Sequence, residues 1–138
     1  MAEAETLFVL DTFALIAHFE AESGGERVSQ LLRDAGNGEI SVAMSLINMG
    51  ELFYIISRQQ GKAKAQIMLE DLHAFPIMFY EATEDRILAA ARLKADYSIS
   101  YADAFAAALA LELGATLVTG DSEFKAIKEK LSISWLDK

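Results

Sequence analysis

SYADAFAAALALELGATLVTGDSEF, residues Ser100 to Phe124, sets the architecture. It reads as an apolar helix, a glycine stop at Gly114, a short β-branched strand over Thr116–Gly120 and an acidic turn. Asp103 falls in the first turn of that helix, and Asp121 follows directly on the strand. In a parallel sheet the helix runs antiparallel to the strand after it. It therefore starts above the carboxyl edge, where the strand later ends. A helix of about 13 residues spans roughly 20 Å, and a five-residue strand climbs back about 17 Å. Asp103 and Asp121 are expected to return to the same edge.

The rest of the chain alternates in the same way. Leu7–Leu10 is a wholly apolar run, as expected of a strand covered on both faces. Asp11 ends it, and a helix (TFALIAHF) follows. Glu26–Ala35 is a second helix, Ile40–Ala43 a second strand, and Ser45–Arg58 and Lys62–Phe75 two further helices. Ile77–Tyr80 is a third strand, and Thr83–Asp96 a helix with Thr83 as N-cap. After the opening stretch, Phe124–Lys130 is expected to form a last helix and Ile133–Trp135 a last strand. The pattern predicts an α/β fold of three layers, helix on sheet on helix, with a central parallel sheet of four to five strands. All 138 residues are expected to form one domain.

Composition narrows the function classes. No apolar run reaches the roughly 20 residues of a membrane span. MAEAETLFVL has no basic region ahead of its apolar run, so no signal peptide is expected. The absence of cysteine removes disulfides, thiolate chemistry and cysteine zinc sites, and makes the cytoplasm the expected location. Hydrophobic residues make up 53%, which points to a deep α/β core or to apolar surface kept for a partner. A net charge of −9 opposes a basic nucleic-acid surface. The acids are therefore either a solvating surface or concentrated in a site that carries cations of its own.

Four carboxylates favour the second reading. Asp11 ends the first strand, and Glu51 lies within two turns of the start of its helix. Asp103 and Asp121 meet at the same carboxyl edge. Capping is the plain alternative for three of them: Asp11 and Asp121 as N-caps, and Asp103 as the end of a Ser100-x-x-Asp103 capping box. Lys125 also stands four positions after Asp121 as a helix partner. Glu51 is expected to be buried, because its helix is apolar nearly all round and Ile47, Asn48, Tyr54 and Ile55 offer it no cation. Like charges so gathered repel unless a cation neutralises them. An all-oxygen set suits Mg²⁺ or Mn²⁺, and such an ion activates water and withdraws charge from a phosphodiester. Thr12, Asn48, Thr119 and Ser122 are polar neighbours able to orient carboxylates or waters. Glu123 either extends the cluster or stands as a solvated acid of the helix first turn, the plainer reading. His18 and His73 lack metal-ligand spacing and read as structural or surface residues.

FVLDTFALIA, NMGELFYI, SYADAFAAALAL and TLVTGDSEF, in this order and at these separations, give the chain a resemblance to PIN domains. The single-domain ribonuclease toxins of VapBC-type toxin–antitoxin pairs are the most similar group, and the likeness covers essentially the whole chain. The family's acidic quartet maps onto Asp11, Glu51, Asp103 and Asp121. Asn48 stands where many members carry Ser or Thr, three positions before the glutamate. The resemblance implies a Mg²⁺- or Mn²⁺-dependent endoribonuclease that leaves a 5′-phosphate and a 3′-hydroxyl. It also implies a homodimer and a small antitoxin lying across the active-site groove. Arg58, Lys62, Lys64, Lys125 and Lys128 are the cations available to RNA phosphates.

Other phosphoryl chemistry fits worse. An aspartyl-phosphatase needs a second Asp where Phe13 stands, and a receiver needs its phosphoacceptor near Tyr80 and Glu81. The rival from another class is a PIN fold that is catalytically silent and works as a binding module.

Overall fold

Five strands, all parallel, form one sheet in the order β3-β2-β1-β4-β5. They are β1 (Leu7–Leu10), β2 (Ser41–Ser45), β3 (Met78–Tyr80), β4 (Thr116–Thr119) and β5 (Ile133–Trp135). The helices are α1 (Thr12–Phe19), α2 (Gly25–Gly36), α3 (Leu46–Gln60), α4 (Lys62–Ala74), α5 (Glu84–Asp96) and α6 (Tyr101–Leu113). This is the three-layer α/β arrangement expected from the alternation, with the upper of the two expected strand counts. The computed structural model describes residues 6–136. The first five residues of MAEAETLFVL, and the last two of the expected domain, lie outside the described residues.

Strand alternation sends side chains into two cores. Val9, Ala43 and Leu117 pack against α5 and α6, together with Phe105, Phe124 and Ile127. Leu10, Val42, Met44 and Val118 face the other layer, where Leu15, Leu52 and Leu72 are fully buried. Each of those leucines contributes roughly 1.5–3 kcal/mol by leaving water. Eight successive α6 residues, Asp103 to Ala110, are all buried. Their small side chains let α6 lie close on the sheet. Gly114, at φ 63° and ψ 34°, ends the helix in the left-handed region that a side chain disfavours.

Two elements and one burial pattern differ from expectation. The second strand runs to Ser45 instead of ending at Ala43, and Ser45 caps α3 from outside by accepting Ile47 N–H at 3.1 Å. Pairing of Ser45 with Tyr80 on β3 holds the strand extended that far. The expected helix Phe124–Lys130 is a 3-10 turn over Ser122–Ile127. Phe124 and Ile127 are its two buried residues, three apart, and a three-residue repeat aligns them on one side. α3 is not buried all round either, since Tyr54 is 47% exposed.

The order of strands places a switch point between β1 and β4. From β1 the chain moves outward to β2 and β3, then crosses back to add β4 on the other side of β1. Crevices beyond the carboxyl ends of strands at such a point are the usual binding places of open parallel sheets.

Candidate metal centre

Asp11 is the first residue beyond β1 and caps α1 by accepting Ala14 N–H at 2.8 Å. Its other carboxylate oxygen accepts a short hydrogen bond from Thr119 Oγ1 at the end of β4. Thr119 Oγ1 also accepts Asp121 N–H at 2.9 Å. One buried hydroxyl thus joins the ends of the two strands on either side of the switch point. Asp121 caps the 3-10 turn by accepting Glu123 N–H at 2.9 Å. The capping readings of Asp11 and Asp121 therefore hold, and neither removes the residue from the pocket region. Lys125 makes no ion pair with Asp121 among the described residues.

Glu51, Asp103 and Asp121 line one pocket of about 290 Å³, with Phe13, Ile16 and Ile55 as its apolar wall. Asp11, 1% exposed, is buried close enough to raise the pKa of Asp103 by its charge. The four acids expected at one edge are there. Glu123 joins them: its carboxylate, with those of Asp103 and Asp121, offers oxygens all within 4.8 Å of one another. No lysine, arginine or histidine lines the pocket. Among the described residues the ion pairs are Arg33–Glu26 and Arg86–Glu112, both elsewhere.

Burial and mutual repulsion act on two of these carboxyls. Burial pushes Asp11 up to about 7, reinforced by Asp121 and Glu51 and opposed by the hydrogen bonds from Thr119 and Ala14. Asp103 is pushed up to about 8 by burial first, then by Asp121, Asp11 and Glu123. Glu51 corrects the expectation of a buried, unpartnered carboxylate: it is half-buried at the pocket wall, because α3 keeps one side in solvent. The demand for positive charge comes from Asp11 and Asp103 instead.

The polar neighbours divide. Thr119 is fully buried and bridges Asp11 to Asp121. Asn48 is fully buried and its amide donates to Ala102 O at 3.1 Å and Thr12 Oγ1 at 3.4 Å, while Thr12 Oγ1 donates to Asn48 O at 3.2 Å. It ties α3 to α6 and α1 rather than donating to Glu51, and its Oδ1 has no partner. Ser122 is exposed and has no hydrogen bond among the described residues, so it does not support the acids. His18 is structural, with Nδ1 at 2.8 Å from Ser29 Oγ and its pKa lowered by burial. Arg58 lies over the Tyr54 ring.

The donor set fits a hard divalent ion. Clustered carboxylate oxygens without a resident cation are the ligands that Mg²⁺ and Mn²⁺ take, usually with water completing the shell.

The sequence matches the PIN domain over residues 8–130. The chain belongs to the PIN-domain family. No curated protein matches it. Among solved structures, the PIN fold is shared with VapBC2 from Rickettsia felis bound to a DNA fragment from their promoter, at TM-score 0.72 and 24% identity, covering 96% of this chain and 100% of that one. VapBC-1 from nontypeable Haemophilus influenzae aligns at TM-score 0.67 and 26% identity over 94% and 98% of the two chains. The sarcin-ricin loop cleaving toxin VapC20 of Mycobacterium tuberculosis aligns at TM-score 0.69 and 17% identity over 87% and 94%. In fold this PIN domain resembles the VapC toxins of toxin–antitoxin pairs.

Glu123 extends the cluster from the first turn of the 3-10 segment, one of the two readings its sequence position allowed. Its partner is 23 residues away in the chain, beyond the reach of any local pattern.

Proposed function

We propose that this PIN domain is a Mg²⁺- or Mn²⁺-dependent endoribonuclease, acting as the toxin of a toxin–antitoxin pair in the cytoplasm. The observation that carries the reading is the acidic pocket at the switch point, where Asp11 and Asp103 are held above the usual carboxylate range with no cationic side chain beside them. Asp11, Glu51, Asp103 and Asp121 are the residues that would hold the ion. The chemistry supplied by a bound ion is charge withdrawal from a phosphodiester and acidification of water. Thr119 fixes Asp11 and favours its deprotonated form by donating to it. Asn48 fixes the approach of α3 to α6, and so the separation of Glu51 from Asp103. Phe13, Ile16 and Ile55 wall the pocket and limit water around the reacting phosphate.

Exposed apolar side chains on α3 and α4 support a protein partner. Tyr54 is half exposed, and Ile67, 60% exposed, lines a groove of about 270 Å³ with Phe19, Ile56 and Met68. An antitoxin segment and a second copy of the chain are the partners proposed for such surface. No helix among the described residues is long and apolar enough to cross a membrane.

A panel of structured and unstructured RNAs incubated with Mn²⁺ tests the reading, with Asp11→Asn as control. Wild type is expected to cut at least one RNA and the control to cut none. Equal cleavage by the two would falsify the assignment. No cleavage by either, despite Mn²⁺ binding, would favour the silent binding module.

A further inference from the structure

The side chain of Glu123 is exposed, yet its Oε1 accepts the Ser100 backbone N–H at 2.7 Å. That N–H belongs to the N-cap of α6. In a Ser-x-x-acid box the fourth residue returns its own side chain to this amide. Here the forward half of the box is made, since Ser100 Oγ accepts Asp103 N–H at 3.1 Å. The return half comes from Glu123 instead of Asp103. Glu123 N–H in turn donates to Asp121 Oδ1 at 2.9 Å. One residue therefore couples the turn that bears Asp121 to the cap of the helix that bears Asp103, with all three carboxylates inside one cluster.

We propose that Glu123 is a positioning residue of the acidic pocket: by occupying the Ser100 amide it prevents Asp103 from closing its own capping box, and so keeps the Asp103 carboxylate available to a divalent cation. The inference rests on the metal-dependent reading above, but concerns a residue to which that reading gives no role. Without Glu123, Asp103 is the acid that local sequence puts within reach of the Ser100 N–H. Its carboxylate then has two competing uses, capping and cation binding. Any cation has to break the cap first.

Mn²⁺ titration calorimetry on the full chain tests this, comparing wild type, Glu123→Ala and Glu123→Gln, with circular dichroism verifying that each is folded. Glutamine keeps the acceptor oxygen and the side-chain length while losing the charge. Glu123→Ala is expected to weaken Mn²⁺ binding about tenfold, and Glu123→Gln to stay within about threefold of wild type. Amide exchange at Ser100 provides a second readout. Mn²⁺ should speed it in Glu123→Ala, where Asp103 leaves the cap, and leave it slow in wild type and Glu123→Gln.

Equal weakening by Ala and Gln overturns the proposal by making Glu123 a ligand. Wild-type affinity in Glu123→Ala overturns it by making the residue irrelevant. A wild type that takes no Mn²⁺ overturns both it and the reading of the pocket. RNA cleavage scored in parallel separates the two ideas. A wild type that binds Mn²⁺ without cutting sinks the nuclease reading alone, because the ordering of the Glu123 variants is read from the titration.

Discussion

Two of the cavities with acids on their walls treat them differently. On the outer side of α5 and α6, a cavity of about 630 Å³ has Asp85 and Glu112 on its wall together with Arg86 and Arg92. Arg86 grips Glu112 with two nitrogens, each 3.0 Å from an oxygen, and its guanidinium lies over the Tyr80 ring. At the switch point, a cavity less than half that size gathers four acids and no cation. The larger cavity is electrostatically complete within the chain; the smaller is not. Where acids serve the fold, the chain supplies their counter-charge; the pocket leaves that to something else. Size is therefore a poor guide to chemistry here, and uncompensated charge a better one.

The widest separation between the two cavities should come from removing one charge in each. Asp103→Asn is expected to abolish RNA cleavage, by at least about a hundredfold, while raising the metal-free melting temperature, because it relieves repulsion at a buried site. Glu112→Gln should leave cleavage unchanged and cost under about 1 kcal/mol, as exposed ion pairs do. Cleavage assays and melting curves on the same preparations check both. A lower melting temperature for Asp103→Asn would show that its carboxylate stabilises the fold.

Next in size is the dependence on pH and metal. Asp11 and Asp103 have folded-state pKa values raised to about 7 and about 8 from 3.8. Between pH 4 and 8 the folded state then binds more protons than the unfolded one, so these groups make metal-free stability fall as pH rises through that window. A cation binds the deprotonated carboxylates and competes with protons. Mn²⁺ should therefore raise the melting temperature more at pH 8 than at pH 5, by mass action on the folded state. A metal effect that is flat across this range, followed by thermal shift, would break the comparison.

A smaller effect belongs to Thr119→Val. It strips Asp11 of one donor and leaves Asp121 N–H without its acceptor, at a cost of about 1–3 kcal/mol in a denaturant melt. It should also move the pH midpoint of the Asp11 titration upward. Smallest is Gly50→Ala in the interior of α3. No atom lies within 4 Å of the added methyl, and alanine's helix preference should stabilise by up to about 1 kcal/mol without touching cleavage.

The sheet was legible because its strands are short runs rich in apolar residues, two of them closed by Asp11 and Gly120, with helices of clear length between them. The meeting of Asp11, Asp103 and Asp121 follows from that alternation alone, since every strand end of a parallel sheet lies on one edge. What the sequence hid depends on contacts between distant segments. Glu51 looked buried because its i±3 and i±4 neighbours are mostly apolar, but helix periodicity does not reveal which side a neighbouring layer leaves uncovered. The last helix shortened to a 3-10 turn because Phe124 and Ile127 both had to reach the core from a six-residue segment. Ser122 stands next to Asp121 in sequence and faces solvent, whereas Thr119, two positions before it, is the residue that reaches Asp11. Adjacency along the chain did not translate into adjacency at the pocket.

The Thr119–Asp11 hydrogen bond joins residues 108 positions apart. Because β1 pairs with β4 and the acids close only at that junction, a ribosome must deliver more than 120 residues before the acidic centre can assemble.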